Sequence, residues 1–156
     1  MDVLIVYDSK TGNTEKMALS VKEGVEKAGL EADLRHVKDA SIDELLKYKG
    51  IILGTPVYYG LPSGGMKEFI DDSVKYHGKL EDRIGGAFAS SGGTHSGAET
   101  AILSLLEALM IHGMVIQGTS ERNHYGPASV GAPDDNDREA CRRLGIRVSE
   151  LVKKIH

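Results

Sequence analysis

The chain has no tryptophan, a single cysteine (Cys141), and only six tyrosines and two phenylalanines among its 156 residues. One cysteine excludes an internal disulfide framework and cysteine-based metal sites. No apolar run approaches the roughly 20 residues that a membrane-spanning helix needs. The sequence therefore predicts a soluble protein, and we expect a cytoplasmic one. The net charge of −4 is mild, which argues against a nucleic-acid surface and allows small acidic ligands or protein partners.

Two common nucleotide-binding motifs are also missing. The triphosphate loop G-x-x-x-x-G-K-[ST] does not occur, because Lys10 precedes Gly12. The dinucleotide fingerprint G-x-G-x-x-G is absent from the same turn. The histidines are scattered without metal-ligand spacing, so the sequence predicts no metal site.

What the chain does have is a buried strand followed at once by a loop of small hydrogen-bond donors. The run Val3–Tyr7 is apolar and rich in β-branched residues, which is typical of a strand buried on both faces of a parallel sheet. An amphipathic helix follows the loop directly. The free N–H groups and dipole of such a helix favour an anion. We therefore predict a phosphate site formed by Ser9, Lys10, Thr11, Gly12, Asn13 and Thr14, with the Lys10 side chain directed to solvent.

Further apolar patterns alternate between strand and helix along the chain. The predicted strands after the first are 30–37, 50–56, 84–90 and 114–116. Helical spacing or capping residues predict helices after Thr14, after Ser41, around Met66, after Ala98 and after Asp134. Five strands alternating with five helices indicate a doubly wound parallel sheet in a three-layer α/β/α arrangement. We predict that residues 1–156 form one domain.

The loops after the first, third and fourth predicted strands are unusual in composition. In a doubly wound sheet they meet at the carboxyl edge, where ligands bind. The third-strand loop offers two adjacent tyrosines as apolar walls, and the fourth offers exposed backbone at two glycines. The predicted site residues from these two loops are Thr55, Pro56, Val57, Tyr58, Tyr59, Gly60, Ser90, Ser91, Gly92, Gly93, Thr94 and His95. His95 fits a position near the ligand and an exposed loop position equally well.

The segment Ser9–Thr14 resembles the phosphate loop of the flavodoxins, [ST]-x-T-G-N-T, which holds the 5′-phosphate of FMN. The resemblance implies a flavodoxin-like fold with strand order 2-1-3-4-5, with FMN bound between the first and third strands. It also implies that the loops after the third and fourth predicted strands enclose the isoalloxazine ring.

From Gly50 onward the chain also resembles the tryptophan-repressor-binding-protein type of NAD(P)H:quinone oxidoreductases. The similar segments are Gly54-Thr55-Pro56 with Gly60, Ser91–Glu99, His112–Ile116 and Tyr125–Ser129. That family also binds FMN, and its members assemble as dimers and tetramers, so the resemblance implies a homodimer or homotetramer.

Three departures separate the chain from that second family. Thr11 stands where the family has a tyrosine in the phosphate loop. The segment before the fourth strand is short, and the family's tryptophan there is missing. Ile111 precedes His112 where the family has two histidines, the first of them near the flavin. The residues expected around FMN are retained, whereas those on the substrate side are not.

Three functions remain open from the sequence. The favoured one is a flavodoxin-like electron carrier that passes electrons singly between protein partners. The alternative is an FMN-dependent NAD(P)H:quinone oxidoreductase or a related flavin reductase, which uses NAD(P)H and a small quinone. The third is a flavin-binding regulatory module, which we rank last because no separate effector domain is evident.

Overall fold

The computed structural model describes all residues from 1 to 156. Seven strands and four α-helices alternate along the chain, with two short 3-10 helices at 42–47 and 73–76. The strands are β1 (Val3–Tyr7), β2 (Ala32–His36), β3 (Gly50–Tyr58), β4 (Leu61–Pro62), β5 (Ile84–Ser91), β6 (Val115–Ile116) and β7 (Ala128–Val130). The helices are α1 (Asn13–Lys27), α2 (Gly64–Asp72), α3 (Ala98–Ile111) and α4 (Asp135–Ile155).

The sheet has the order β2-β1-β3-β5-β6, and neighbours along this path are parallel. In register, Ile5 of β1 pairs with Leu34 of β2 and Ile52 of β3. This is the predicted 2-1-3-4-5 arrangement, with β5 and β6 as the fourth and fifth parallel strands. The prediction of a doubly wound α/β fold is therefore confirmed.

Strand β1 is buried along its whole length, as its apolar run predicts. Because successive side chains point to opposite faces, Leu4 and Val6 join one hydrophobic core while Val3, Ile5 and Tyr7 join the other. Helices α1 and α4 cover the second of these cores, and α2 and α3 cover the first. Cys141 belongs to the second core, and burial raises the pKa of its thiol to about 12.

Several local predictions are wrong in detail. The helix predicted after Ser41 is a 3-10 helix of six residues, although its capping box is present. Val57 and Tyr58 belong to β3 and not to a loop, because the chain turns back through β4 in a tight antiparallel hairpin. Residues 118–133, where the sequence predicts no strand, include β7. Strand β7 pairs with the end of β5. It continues the line of β6, the fifth parallel strand, after an insertion of residues 117–127.

No helix is long and apolar enough to cross a membrane.

A buried histidine lies at the amino-terminal edge of the sheet, between α3 and β6. His112 is 9% exposed, and its Nε2 meets the Ser73 hydroxyl at 2.8 Å while its Nδ1 has no partner. Burial is the main cause that lowers the pKa of His112 in the folded protein, and the nearby ring of His77 lowers it further. The neutral form is therefore the one that the fold accommodates.

We expect the free energy of unfolding to fall as the pH drops below about 6.5, the ordinary histidine pKa. The unfolded chain takes up a proton at His112 before the folded protein does. Stability is therefore fully present above the unfolded pKa and is lost as the pH falls towards the lower folded pKa. One such proton contributes at most about 1.4 kcal/mol per pH unit.

Urea unfolding between pH 7.5 and 5 measures this slope. His112→Gln should make the slope shallower, and His95→Gln, an exposed loop histidine, is the control for losing one histidine. A slope unchanged by His112→Gln would contradict the prediction.

Candidate functional site

Three loops meet at the carboxyl edge of the sheet, after β1, β3 and β5. The end of β1 is tied to β3 by the Asp8 amide, which donates to the Gly54 carbonyl at 3.0 Å. The first turn of α1 is tied to β5, because the hydroxyls of Thr14 and Ser90 meet at 2.7 Å. The predicted convergence of the three loops is therefore present in the structure.

The helix after β1 begins without the side-chain cap that three other helices of this protein have. Side chains cap α2, α4 and the first 3-10 helix, through Ser63, Asp134 and Ser41 respectively. Helix α1 has no side-chain cap, since its N-cap is Gly12 in a left-handed conformation with φ +93°. The backbone amides of Asn13, Thr14 and Glu15 have no acceptor in the protein. These free donors need a partner from outside the chain.

The space in front of this helix end is open. A Cβ atom on Gly12 would meet nothing within 4 Å. The loop itself is held by the Gly12 amide, which donates to Ser9 Oγ at 3.1 Å, and the Thr11 side chain is exposed without a hydrogen-bond partner. The arrangement of free amides, an exposed hydroxyl and open space is suited to a phosphate group.

A buried carboxylate that the sequence analysis missed lies beneath the phosphate loop. Asp8 is 6% exposed, and its Oδ2 accepts from Ser63 Oγ at 2.6 Å. Ser63 in turn caps α2, and its amide donates to Thr55 Oγ1 at 2.9 Å. The predicted site residue Thr55 is completely buried, so its hydroxyl fixes the return of the hairpin instead of facing the edge.

His36, from the end of β2, closes the other side of Asp8. Its Nδ1 accepts from the Lys38 amide at 3.2 Å, so Nε2 carries the proton. That Nε2 lies 3.2 Å from the Ser9 carbonyl and 3.5 Å from Asp8 Oδ1. The contact fixes the first residue of the phosphate loop. Asp8 could have been suspected from the sequence, since it ends the buried strand directly before the loop.

The β3–β4 hairpin presents its two tyrosines differently. Tyr59 and Gly60 form the two-residue turn, with φ of +50° and +77°, and the Tyr59 side chain is entirely exposed. Tyr58 is partly covered, and the Lys10 ammonium lies 5.0 Å from the centre of its ring. Lys10 is exposed, as expected, but it covers the ring and thereby joins the phosphate loop to the hairpin. Tyr58 is the tyrosine that faces the other loops.

The loop after β5 packs against this hairpin through two glycines. A Cβ on Gly97, the N-cap of α3, would lie 2.6 Å from the Gly60 Cα atom. Thr100 Oγ1 donates to the Gly60 carbonyl at 3.2 Å. Gly97 could therefore not be replaced without separating the two loops.

The predicted residues of this third loop are divided between the strand and the turn. Ser90 and Ser91 are buried at the end of β5, and Ser91 Oγ donates to the Gly93 carbonyl at 3.0 Å. At Gly92 and Gly93 a Cβ would meet nothing within 4 Å. Thr94 and His95 are exposed. The two glycines thus leave backbone uncovered towards solvent, as a ligand-binding loop requires.

Comparison with known proteins identifies the family. The family model described as Flavodoxin matches residues 5–121. The chain belongs to the flavodoxin family. A flavodoxin of Aquifex aeolicus is 40% identical, with 96% of this chain and 86% of that protein covered. A structure of an archaeal flavodoxin is 28% identical, has a TM-score of 0.82, and is matched over 98% of this chain and 99% of that one.

Similarity extends to a second group within the family. An NAD(P)H dehydrogenase (quinone) of Archaeoglobus fulgidus is 31% identical, with 98% of each chain covered. The structure of a flavodoxin, WrbA-like protein from Agrobacterium tumefaciens is 28% identical, with a TM-score of 0.86 and 99% of each chain covered. Both resemblances stated from the sequence are confirmed.

The family identifies the cofactor as FMN, so this chain is an FMN-binding redox protein. The site fits that cofactor. Free amides of α1 and the hydroxyl of Thr11 are a donor set for a phosphate, and the uncovered backbone of Gly92 and Gly93 leaves donors for a polar ring edge. The donor set of the loop thus fits the phosphate group of FMN.

Position 111 does not bear on this site. Ile111 is the last residue of α3 and therefore lies at the amino-terminal edge of the sheet, away from the phosphate loop of the same chain. The absence of a histidine there therefore removes no group from the carboxyl edge of the same chain.

We expect the two threonines of the phosphate loop to have separable effects. Thr11→Val should weaken FMN binding by about 1–2 kcal/mol, because it removes a hydroxyl that can donate to the phosphate. It should leave the stability of the apoprotein unchanged, because that hydroxyl is exposed and has no partner within the protein. Thr14→Val should lower the stability of the apoprotein by about 1–2 kcal/mol, because it leaves the buried Ser90 hydroxyl without its partner.

Fluorescence titration with FMN and urea unfolding of the apoprotein measure the two quantities. In the double variant Thr14→Val/Ser90→Ala the stability losses should not add, since both partners are removed together. Equal effects of both threonines on stability would refute the distinction.

Proposed function

We propose that this protein is a single-electron carrier between protein partners, and that residues 1–156 form one FMN-binding domain. The observation that supports this function is the length of the chain, which lacks segments that a quinone-dehydrogenase relative has. The alignment with the Archaeoglobus fulgidus quinone dehydrogenase runs over 187 positions, against 159 for the Aquifex aeolicus flavodoxin, although both include nearly the whole of this chain. The quinone dehydrogenase therefore has segments that this chain lacks, whereas a flavodoxin of Clostridium saccharobutylicum aligns over 161 positions with 99% of each chain covered.

The short connection between β3 and β5 is consistent with this proposal. After the hairpin the chain enters α2 at Gly64, and the second 3-10 helix ends at Tyr76. Only residues 77–83 then lead to β5. A carrier needs an accessible ring edge and no second binding pocket, whereas a reductase must also hold a nicotinamide or a quinone beside the flavin.

We assign three groups of residues to the cofactor. The phosphate binds to the loop of Ser9, Lys10, Thr11, Gly12, Asn13 and Thr14, chiefly through backbone amides and the Thr11 hydroxyl. Tyr58, Gly60, Gly92, Gly93, Thr94 and His95 surround the ring. Thr55, Pro56, Val57, Ser90 and Ser91 support the site from below, and Tyr59 faces the partner. Asp8, Ser63 and His36 are added as positioning residues, because they connect the phosphate loop with the hairpin.

The alternative is an FMN-dependent NAD(P)H:quinone reductase. It is favoured by the 31% identity to the quinone dehydrogenase and by the TM-score of 0.86 to the WrbA-like structure. Thr11 and the missing tryptophan speak against it, because the aromatic groups on the substrate side are absent.

Anaerobic reductive titration separates the two functions. A carrier should be reduced by dithionite in two resolved one-electron steps, followed by absorbance and electron paramagnetic resonance. It should react slowly with NADH or NADPH alone. Rapid bleaching by NADPH with turnover of a quinone, and no resolved first step, would reject the carrier and support the reductase.

We expect Tyr58, and not Tyr59, to tune the potential of the bound FMN. Tyr58→Ala should raise the potential for the second electron, because water then reaches the added negative charge and the negative face of the ring is lost. Tyr58→Phe should change it little, since the ring face is retained. Tyr59→Ala should change it less than Tyr58→Ala does, because only the Tyr58 ring packs against the phosphate loop, through Lys10. Potentiometric titration measures all three, and an unshifted Tyr58→Ala would contradict this role.

A further inference from the structure

A polar cleft lies between the insertion that separates β6 from β7 and the outer side of α4, apart from the cofactor loops. Its volume is about 320 Å³, and nine of its eleven lining residues have polar or charged side chains. Three of them are arginines: Arg122 from the insertion, and Arg143 and Arg147 from α4. A cleft of this size matches small ligands, and its lining is suited to a strongly hydrated one.

The three guanidinium groups differ in how they are neutralised. Arg143 forms ion pairs with Glu121 and, at 3.6 Å, with Glu139. Arg122 is exposed and forms neither an ion pair nor a hydrogen bond. The remaining acidic residue of the lining, Asp137, uses its carboxylate to cap α4, accepting from the Asp134 amide at 3.1 Å.

Arg147 is a half-buried cation without an ion-pair partner. Its Nε donates to the Gln117 carbonyl at 3.3 Å, and its two terminal nitrogens have no acceptor in the protein. Neither nitrogen is sealed from solvent, since the only buried unpaired side-chain atoms are Arg83 Nε and His112 Nδ1. Burial lowers the pKa of the Arg147 guanidinium, and Glu121 only partly opposes this effect. An anion in the cleft would compensate the buried charge.

We propose that this cleft binds a small organic phosphate through the guanidinium groups of Arg147 and Arg122. The planar, two-pronged donor geometry of arginine matches phosphate oxygens. The scarcity of apolar lining disfavours a ligand that binds mainly through a hydrocarbon or aromatic surface. The proposal does not depend on whether the protein acts as a carrier or as a reductase.

Isothermal titration calorimetry of the FMN-loaded protein with inorganic pyrophosphate tests the proposal, because bound FMN already occupies the phosphate loop. We expect saturable one-to-one binding that weakens with added salt. Arg147→Gln should weaken it about tenfold or more, as expected for a lost charge-assisted hydrogen bond. Arg122→Gln should weaken it by a smaller factor, and because that side chain is exposed the variant should fold normally.

Arg138→Gln is the matched control. Arg138 lies on α4, forms no ion pair and does not line the cleft, so this variant should bind pyrophosphate like the parent. Malonate, a small dicarboxylate, tests whether the cleft prefers phosphate groups to carboxylate groups. Binding that is absent, that survives loss of both Arg122 and Arg147, or that favours malonate over pyrophosphate would overturn the proposal.

Discussion

Replacing Gly97 with alanine should weaken FMN binding about a hundredfold, the equivalent of about 2.7 kcal/mol. Gly97 has φ of +111°, which costs an alanine roughly 1–2 kcal/mol. The new Cβ would also lie 2.6 Å from the Gly60 Cα atom, and forcing extra atoms into a packed contact typically costs 1–3 kcal/mol.

The free protein can relieve this strain by moving the loop after β5 away from the hairpin. The bound state cannot, because in the proposed site both loops enclose the same ring. The strain therefore appears mainly as lost affinity for FMN. Fluorescence titration gives the affinity, and circular dichroism of the apoprotein verifies that the variant is folded.

Gly78→Ala is the control for the backbone conformation alone. Gly78 has φ of +74°, but a Cβ there would meet nothing within 4 Å. It should lose some stability and keep its FMN affinity. If both variants bind FMN like the parent, the contact between Gly97 and Gly60 has no part in forming the site.

The main elements of the fold were predictable because their signals are local. Val3–Tyr7 is an unbroken apolar run, and the caps at Ser41 and Asp134 can be recognised from a few neighbouring residues. The capping box at Ser41 marks where a helix begins but does not determine the spacing of its hydrogen bonds. It therefore could not distinguish the observed 3-10 helix from an α-helix.

The errors concern contacts between residues far apart in the sequence. Strand β7 has only three residues, and its pairing with β5 depends on the insertion returning to the sheet. The tight turn at Tyr59-Gly60 was missed because Tyr59 adopts a left-handed conformation, which is unusual for a residue other than glycine, asparagine or aspartate.

The same difference between local signals and contacts between distant residues applies to the candidate site. The phosphate loop is one continuous segment, so its composition alone is enough to predict it. The cluster of Asp8, His36 and Ser63 comes from three separate segments, so no local pattern could reveal it. A weak signal was nevertheless available, since Ser63 precedes two glycines and has the form of a helix N-cap.

The absence of a side-chain cap at Gly12 is informative for a physical reason. The chain supplies hydroxyl or carboxylate caps to its other helices at 42–47, 64–72 and 135–155. Helices α1 and α3, which follow β1 and β5 at the carboxyl edge of the sheet, have none, and neither has the 3-10 helix at 73–76 that continues α2. A capping side chain at Gly12 would compete with the FMN phosphate for the same amides.

Alanine at Gly24 should destabilise the protein by about 3 kcal/mol, the upper end of the usual cost of overpacking. In an exposed helix interior the same change stabilises by roughly 0.5–1 kcal/mol, because alanine has the higher helix propensity. Gly24 lies within α1, but its missing side chain faces α4. A Cβ there would lie 2.1 Å from the Arg142 carbonyl oxygen.

The contact cannot be relieved by a change of rotamer, because the atoms that it meets are backbone. The same close approach occurs one turn away, where a Cβ on Gly145 would lie 2.2 Å from the Val21 carbonyl oxygen. The two helices therefore have to separate, and their separation opens the core around Cys141 and Val148.

Gly64→Ala is the matched control, since Gly64 begins α2 and a Cβ there would meet nothing within 4 Å. It should leave stability unchanged or raise it slightly. Urea unfolding of the apoproteins gives both free energies. A Gly24→Ala variant as stable as the parent would mean that α1 and α4 do not approach backbone to backbone, and that glycine is not required at this crossing.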